Sequence, residues 1–256
     1  MGYMWECPDI FKVDGQWIVM TSPQGMEPHG DIGQNVYSCG YFPLYGDFRG
    51  DYELGEYHEA DMGFDYYAPQ TFEAPDGRRI VIGWMGMPDA DYTNPTAKNL
   101  WQHCLSMPRQ LNWENDRLVA RPVEEMKQLR ELAVSFSCKG TEVVDCSKYT
   151  ELLFENHGEE LEIKIGTGAT LTYKKGNVKL SIDTDAGCGR KTRKLHLPEL
   201  KKIQMFVDAS SIEIFFNDGA YVMSTRFYPD EMKKISVNGE GSGILYALKP
   251  MKIQWA

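Results

Sequence analysis

The sequence predicts an all-β protein built from two domains. Three observations carry that expectation. Tyr, Phe and Trp together make up 12% of the chain, beside 24 Gly and 13 Pro, a mixture that favours many short strands separated by turns. Apolar runs of strand length recur with Asp-Gly or Asn-Asp between them. One segment, residues 122–133, breaks the pattern and divides the chain. With 256 residues, 42% of them hydrophobic and 25% charged, there is room for two ordinary domains with ordinary cores.

From the N-terminus, Ile10 to Val13, the turn Asp14-Gly15, and Trp17 to Thr21 form a hairpin, since Asp-Gly between apolar runs is a strong two-residue turn signal. Asn35 to Tyr45 is strand-like. Tyr66 to Phe72 and Arg79 to Trp84 are joined through Pro75-Asp76-Gly77, another turn signature. His103 to Met107, Gln110 to Trp113 and Arg117 to Ala120 continue the series, with a turn at Glu114-Asn115-Asp116. Hairpins repeated this way suit a propeller, a barrel or a sandwich. In residues 122–133, Pro122 stands at a first helical position with Glu124 and Glu125 in the first turn. Val123, Met126, Leu129 and Leu132 fall at helical spacing, so a helical linker is expected there, between a domain at 1–121 and another at 134–256. Leu161 to Ile165 and Val178 to Ile182 alternate apolar and polar residues, one face wet and one packed. Met205 to Asp208, Ser211 to Phe216, Ala220 to Phe227 and Ile235 to Val237 follow, with a turn at Asn217-Asp218-Gly219. This spacing suits a β-sandwich.

The formal net charge of -10 argues against a nucleic-acid partner, which needs clustered Lys and Arg. The longest basic cluster, Arg190-Lys191-Thr192-Arg193-Lys194, reads as a solvated strand end. No apolar run reaches the roughly 20 residues that span a bilayer, and no signal peptide is visible, so neither a membrane nor export is expected. The cysteines at 7, 39, 104, 138, 146 and 188 form no Cys-x-x-Cys pair and no zinc spacing. They read as reduced thiols of a cytoplasmic protein, most of them buried small apolar residues. No metal or organic cofactor is implied.

The residue that points to chemistry is Glu6, in Met4-Trp5-Glu6-Cys7-Pro8-Asp9. An acid among aromatic and apolar neighbours suits a proton donor; the alternative is a strand-end Glu facing water. The segment resembles the Glu-Cys-Pro-Asp motif of glycoside hydrolase family 32, the invertase and sucrose-6-phosphate hydrolase group. Further stretches are similar to that family in the same order: Gly63-Phe64-Asp65-Tyr66-Tyr67-Ala68-Pro69-Gln70-Thr71-Phe72, Gly77-Arg78-Arg79-Ile80-Val81-Ile82-Gly83-Trp84-Met85, Trp101-Gln102-His103-Cys104-Leu105-Ser106-Met107-Pro108-Arg109, and, toward the C-terminus, Phe206 to Phe215 and Ser224 to Pro229. The forms around Trp101 and Gly63 look most like bacterial sucrose-6-phosphate hydrolases.

The resemblance implies a five-bladed β-propeller with a central active site, then a β-sandwich, so residues 1–121 are expected to be the later blades and 134–256 the sandwich. It implies a retaining mechanism with Glu6 as acid/base. Tyr67 and Trp84 are implied sugar contacts, the first with a hydroxyl that can bond Glu6 or a sugar, the second with a ring face for C–H groups. Strand alternation would put Asp65 on the face of Tyr67, toward the sugar. Cys7 would be a neighbour that tunes Glu6, or a packing thiol. His103 and Arg109 could face a phosphate, with structural hydrogen bonding at a blade edge as the stronger reading; Arg226 reads as structural. Asp208, Ser210 and Glu213 have no matching His and are not a triad.

Two carboxylates of the family's pattern are not found. Asn217-Asp218-Gly219 and Asn115-Asp116-Arg117 are turns, and Phe48-Arg49-Gly50-Asp51 is not the family's Arg-Asp-Pro. The expectation is therefore a chain covering the third blade onward, able to bind a fructosyl sugar such as sucrose 6-phosphate or sucrose but inactive alone. The missing blades would be absent or belong to a complementary N-terminal chain. The rivals are a non-catalytic fructoside-binding module and an assembly module that self-associates through open propeller edges.

Overall fold

The computed structural model describes residues 1–252 and is all-β, with propeller blades followed by a β-sandwich. The chain forms two compact units, the first made of Met1–Pro122 with Gly219–Arg226, the second of Val123–Asp218 with the chain from Phe227 onward. No helix among the described residues is long and apolar enough to cross a membrane.

In the first unit, β1 (Met4–Val13) and β2 (Gln16–Gln24) form the expected hairpin. Asp14 and Gly15 sit between them at φ 48 and 88, the paired left-handed residues that a two-residue turn needs to match strand twist. β3 (Gly40–Gly46) pairs with β2, and the short β4 (Tyr52–Leu54) and β5 (His58–Glu59) both pair with β3. The second sheet runs β6 (Tyr67–Glu73), β7 (Arg79–Trp84), β8 (Arg109–Glu114), β9 (Arg117–Pro122), antiparallel throughout. The described residues thus hold two blade-like sheets here, not the three that a chain from the third blade onward would have, because β4 and β5 attach to β3 instead of opening another sheet. His103 to Met107 is not a strand: His103 lies at φ 68, and the segment makes a single bridge, Leu105 to Trp84.

The two sheets are joined by polar contacts that range from buried to exposed. The Tyr41 hydroxyl accepts the Leu118 amide at 3.0 Å. Asp14 Oδ2 accepts the Trp113 amide at 2.9 Å. Asp9 Oδ2 accepts both the amide and the hydroxyl of Thr71, at 2.9 and 2.7 Å, which ties β1 to β6.

In the second unit the expected helix at 122–133 is instead a 3-10 turn at Glu124–Leu129 followed directly by strand β10 (Arg130–Asp145). Arg130 is drawn out of a helical course by Glu151, which it grips with two bonds of 2.6 Å. Leu132, expected on a packed helix face, is 77% exposed. β11 (Thr150–Asn156), β12 (Glu160–Ile165), β13 (Ala169–Lys174), β14 (Asn177–Ile182), β15 (Thr192–His196), β16 (Lys202–Asp208) and β17 (Ser211–Phe216) follow. β18 (Tyr221–Arg226) belongs to the first unit, and β19 (Lys234–Leu248) returns to the second, where it pairs with β10, β11 and β12. Inward residues such as Leu152, Ile163, Met205 and Ile214 are at 0% exposure, and β12 and β14 alternate buried and open as the sequence leads one to expect.

β18 packs with the first compact unit although its strand pairing is with β17. Gly219 to Arg226 reads as sandwich sequence, and β18 is the end strand of the ten-stranded sheet, beside β17; it also bonds two aspartates earlier in the chain. Asp61 accepts the Ser224 amide and hydroxyl at 2.8 and 2.6 Å. Asp65 accepts the Arg226 amide at 2.8 Å.

Candidate active site

Glu6 and Tyr67 lie 61 positions apart in sequence and meet because β1 and β6 are the first strands of neighbouring sheets. The Tyr67 hydroxyl donates to Glu6 Oε2 at 2.8 Å, and Gln24 Nε2 donates to the same oxygen at 2.9 Å. Each strand carries an irregularity at this point. β1 changes register between Glu6 and Asp9, with Cys7 at φ 47; β6 changes register between Tyr67 and Gln70, with Ala68 at φ 48. Bulges of this kind re-aim side chains at the rims of functional sites. Gln70 Nε2 bonds the Cys7 carbonyl at 3.3 Å and Ser22 Oγ accepts the Ala68 amide at 3.2 Å, so each irregular turn is held from the opposite strand.

Tyr67 is 2% exposed. Burial pushes its hydroxyl well above the usual tyrosine range; the Gln24 hydrogen bond works against this, and the bond to Glu6 adds to it. A phenol so held keeps its proton and remains a donor to Glu6. Trp84 stands directly across from Tyr67 in the β6–β7 pairing, its ring edge-on to Tyr67 at 6.3 Å between centroids and to His103 at 4.9 Å. Gly86 makes room for the indole, since a Cβ there would lie 2.5 Å from Trp84 Nε1. Gly83 does the same for Tyr66, whose ring would be 2.4 Å from a Cβ.

The other expected residues divide. The Cys7 thiol is exposed, and its left-handed backbone lies at the register change next to Glu6. Asp65 does not face a sugar. It is at 0% exposure and bonds β18; the alternation argument fails because β6 begins at Tyr67, so Asp65 lies before the strand. Arg109 is 1% exposed, paired with Asp61 at 3.0 Å and bonded to Ser224 Oγ at 2.6 Å, which gives it the structural role and removes it from any phosphate. Arg226 is wholly buried. All six cysteines are free, but only Cys39 and Cys138 are buried, fewer than expected.

Sequence reasoning missed Gln24 and Tyr37. Tyr37 packs against Tyr67 at 6.1 Å and donates to Asp89 at 2.7 Å; nothing local in its sequence marks it. The hairpin register set by Asp14-Gly15 could have brought Gln24 near Glu6, had the strand been extended past Thr21.

The Glu6 carboxyl is thus anchored by a buried phenol whose ring stands edge-on to an indole. Comparison with known proteins gives the family. The chain matches the glycosyl hydrolases family 32 N-terminal domain over residues 1–122 and the glycosyl hydrolases family 32 C-terminal model over residues 124–249, and it belongs to that family. It is 39% identical to the sucrose-6-phosphate hydrolase of Bacillus subtilis over 239 residues, covering 89% of this chain and 50% of that protein. It is 38% identical to that of Staphylococcus xylosus over 256 residues, covering 90% and 50%. Among solved structures, the sucrose-6-phosphate hydrolase of Lactobacillus gasseri superposes with a TM-score of 0.88 at 26% identity, covering 97% of this chain and 55% of that one. A Bombyx mori GH32 beta-fructofuranosidase gives 0.85 at 27%, covering 97% and 55%. The chain spans about half the length of the curated relatives it matches.

Proposed function

We propose that this chain carries the acid/base portion of a retaining fructoside hydrolase acting on sucrose 6-phosphate or sucrose. The observation that carries the reading is the 2.8 Å bond from buried Tyr67 to Glu6, with Trp84 edge-on to the same phenol. The sucrose-6-phosphate hydrolase relatives support the substrate class, as does the Bombyx mori enzyme, a mutant of which is in complex with sucrose.

Glu6 gives its proton to the oxygen that links the two sugars. The bond from that oxygen to the fructosyl carbon breaks, and its electron pair stays on the oxygen. A second carboxylate captures the carbon. Glu6 then takes a proton from water as the water oxygen bonds the carbon and the carboxylate leaves. Tyr67 and Trp84 line the fructosyl side. Retaining carboxylates stand about 5–5.5 Å apart. Among the described residues, Asp9 is engaged by Thr71, and Asp61 and Asp65 are buried against β18. In this reading the opposing carboxylate comes from a further polypeptide segment. The free cysteines suit a reducing cytoplasm.

The test is an assay of fructose release from sucrose and sucrose 6-phosphate. The chain alone is expected to release none. Mixed with a polypeptide spanning the first half of a family member, it is expected to regain release, and Glu6→Gln in this chain to abolish it. Turnover by the chain alone, lost on Glu6→Gln, would overturn the incomplete-site reading. A second reading, an assembly module, is favoured by exposed apolar residues in the first unit: Tyr3 at 72%, Leu105 at 68% and Leu100 at 97%. Light scattering that finds only a monomer across concentration argues against it.

A further inference from the structure

Glu6 is held by two donors, and both reach one oxygen. The Tyr67 hydroxyl and Gln24 Nε2 converge on Oε2 at 2.8 and 2.9 Å, and they lie 3.5 Å from each other. No described residue donates to Oε1. Gln24 is placed for this by the hairpin. It pairs with Met4 as Ser22 pairs with Glu6, so Gln24 is the diagonal neighbour of Glu6 on one face of the sheet. Its amide donates at any pH, and it is half-buried, so its bond is not one of many competing with bulk water.

A carboxyl oxygen that already accepts two hydrogen bonds is a poor place for a proton, because a hydrogen there would point into two donors. We propose that Gln24 is a positioning residue which, together with Tyr67, confines the transferable proton of Glu6 to Oε1. This rests on the reading of Glu6 as the acid/base. It gives the two oxygens separate tasks: Oε2 is the anchor, and Oε1 gives and recovers the proton. It also keeps the carboxyl from rotating by half a turn and exchanging them. Family-level reading of the motifs singles out Glu6 and Tyr67; the convergence on one oxygen adds Gln24 from a different strand.

The experiment is isotope-edited infrared spectroscopy of the 256-residue chain carrying 13C-carboxyl glutamate, at mildly alkaline pH, with Glu6→Gln subtracted to isolate the Glu6 carboxylate. Two bonds on one oxygen make the two C–O bonds unequal, which widens the gap between the antisymmetric and symmetric stretches. The expected result is a wide gap in the wild type, a narrower one in Gln24→Met, and a further narrowing when Tyr67→Phe is added. A wild-type gap equal to that of an exposed glutamate, or a gap unmoved by Gln24→Met in a protein with native circular dichroism, overturns the proposal. Should Gln24→Met fail to fold, the wild-type gap and Tyr67→Phe alone decide it. No sugar or second polypeptide takes part, so failure of the proposed hydrolysis leaves this outcome readable. A normal gap in a chain that does restore hydrolysis removes the positioning role alone.

Discussion

Replacing Asp61 by asparagine removes one charge from a site where no water can replace it. The Asp61 side chain is at 0% exposure and that of Arg109 at 1%. Oδ1 accepts the amides of Gly63 and Ser224 at 2.9 and 2.8 Å. Oδ2 accepts Arg109 Nη1 at 3.0 Å and Ser224 Oγ at 2.6 Å. Asparagine keeps an oxygen for the two amides but turns an NH2 toward the guanidinium. Removing one partner of a buried pair leaves the other charge uncompensated and costs about 3–5 kcal/mol. Stacking of Arg109 over the Tyr66 ring, 4.4 Å from the centroid, offsets only part of this. For a protein of this size the melting temperature should fall by roughly 10 °C. Asp61→Ala also strands both amides, at about 1–3 kcal/mol each, and brings the first unit close to its whole margin, about 5–15 kcal/mol for a typical domain. Calorimetry and hydrogen exchange separate the two variants. In the asparagine variant the Gly63 and Ser224 amides stay protected while the melting temperature drops; in the alanine variant both amides exchange. The reasoning fails if asparagine lowers the melting temperature by less than about 2 °C, or if both variants exchange alike.

Glu6→Gln should bring the Tyr67 ionisation down toward its ordinary value without reaching it, because burial, the largest cause of its elevation, remains. Titration of 13C-labelled tyrosine by NMR reads the shift, and an upward movement would contradict it. Tyr41 is pushed by burial from 10.0 up to about 12. The folded protein keeps a proton there that the unfolded chain gives up, so the contribution, about 3 kcal/mol, is whole below pH 10 and is lost as pH rises through about 12. Urea midpoints measured across that window should fall, and Tyr41→Phe should flatten the fall; equal slopes in both proteins would exclude Tyr41 as the source.

The strands that were legible are those whose turns announce themselves. Asp14-Gly15 and Asn115-Asp116 carry left-handed dihedrals at both central positions, and the strands they join are where the residues place them. β7 and β17 match their expected limits. β11 escaped notice because both of its faces are largely buried, which erases the alternation that marks a half-wet strand. Most of β10 escaped for the opposite reason, being open on both faces. β18 pairs with β17 as its sequence leads one to expect; what local pattern could not reach is that Ser224 is also held by an aspartate 163 positions earlier. A strand's type is written in its own residues, but the distant buried carboxylate that bonds it is not.

The site follows the same rule at finer scale. Motif reading reaches Glu6, Tyr67 and Trp84, and the structure brings the first two within a hydrogen bond. What no pattern in β1 reveals is the one-residue register change between Glu6 and Asp9. From Asp9 to Val13 the hairpin pairs residues whose numbers sum to 29, as in Asp9 with Met20; from Met4 to Glu6 the sum is 28, as in Glu6 with Ser22. Had the first register continued, Trp5 would stand opposite Gln24 and Glu6 opposite Pro23. A one-residue slip exchanges the two faces of a strand, so the indole would meet the amide and the carboxyl would turn the other way. The left-handed turn at Cys7 therefore decides which side chain of the Trp5-Glu6 pair Gln24 and Tyr67 receive. The chemistry proposed for Glu6 depends on a backbone conformation at its neighbour more than on any property of the glutamate itself.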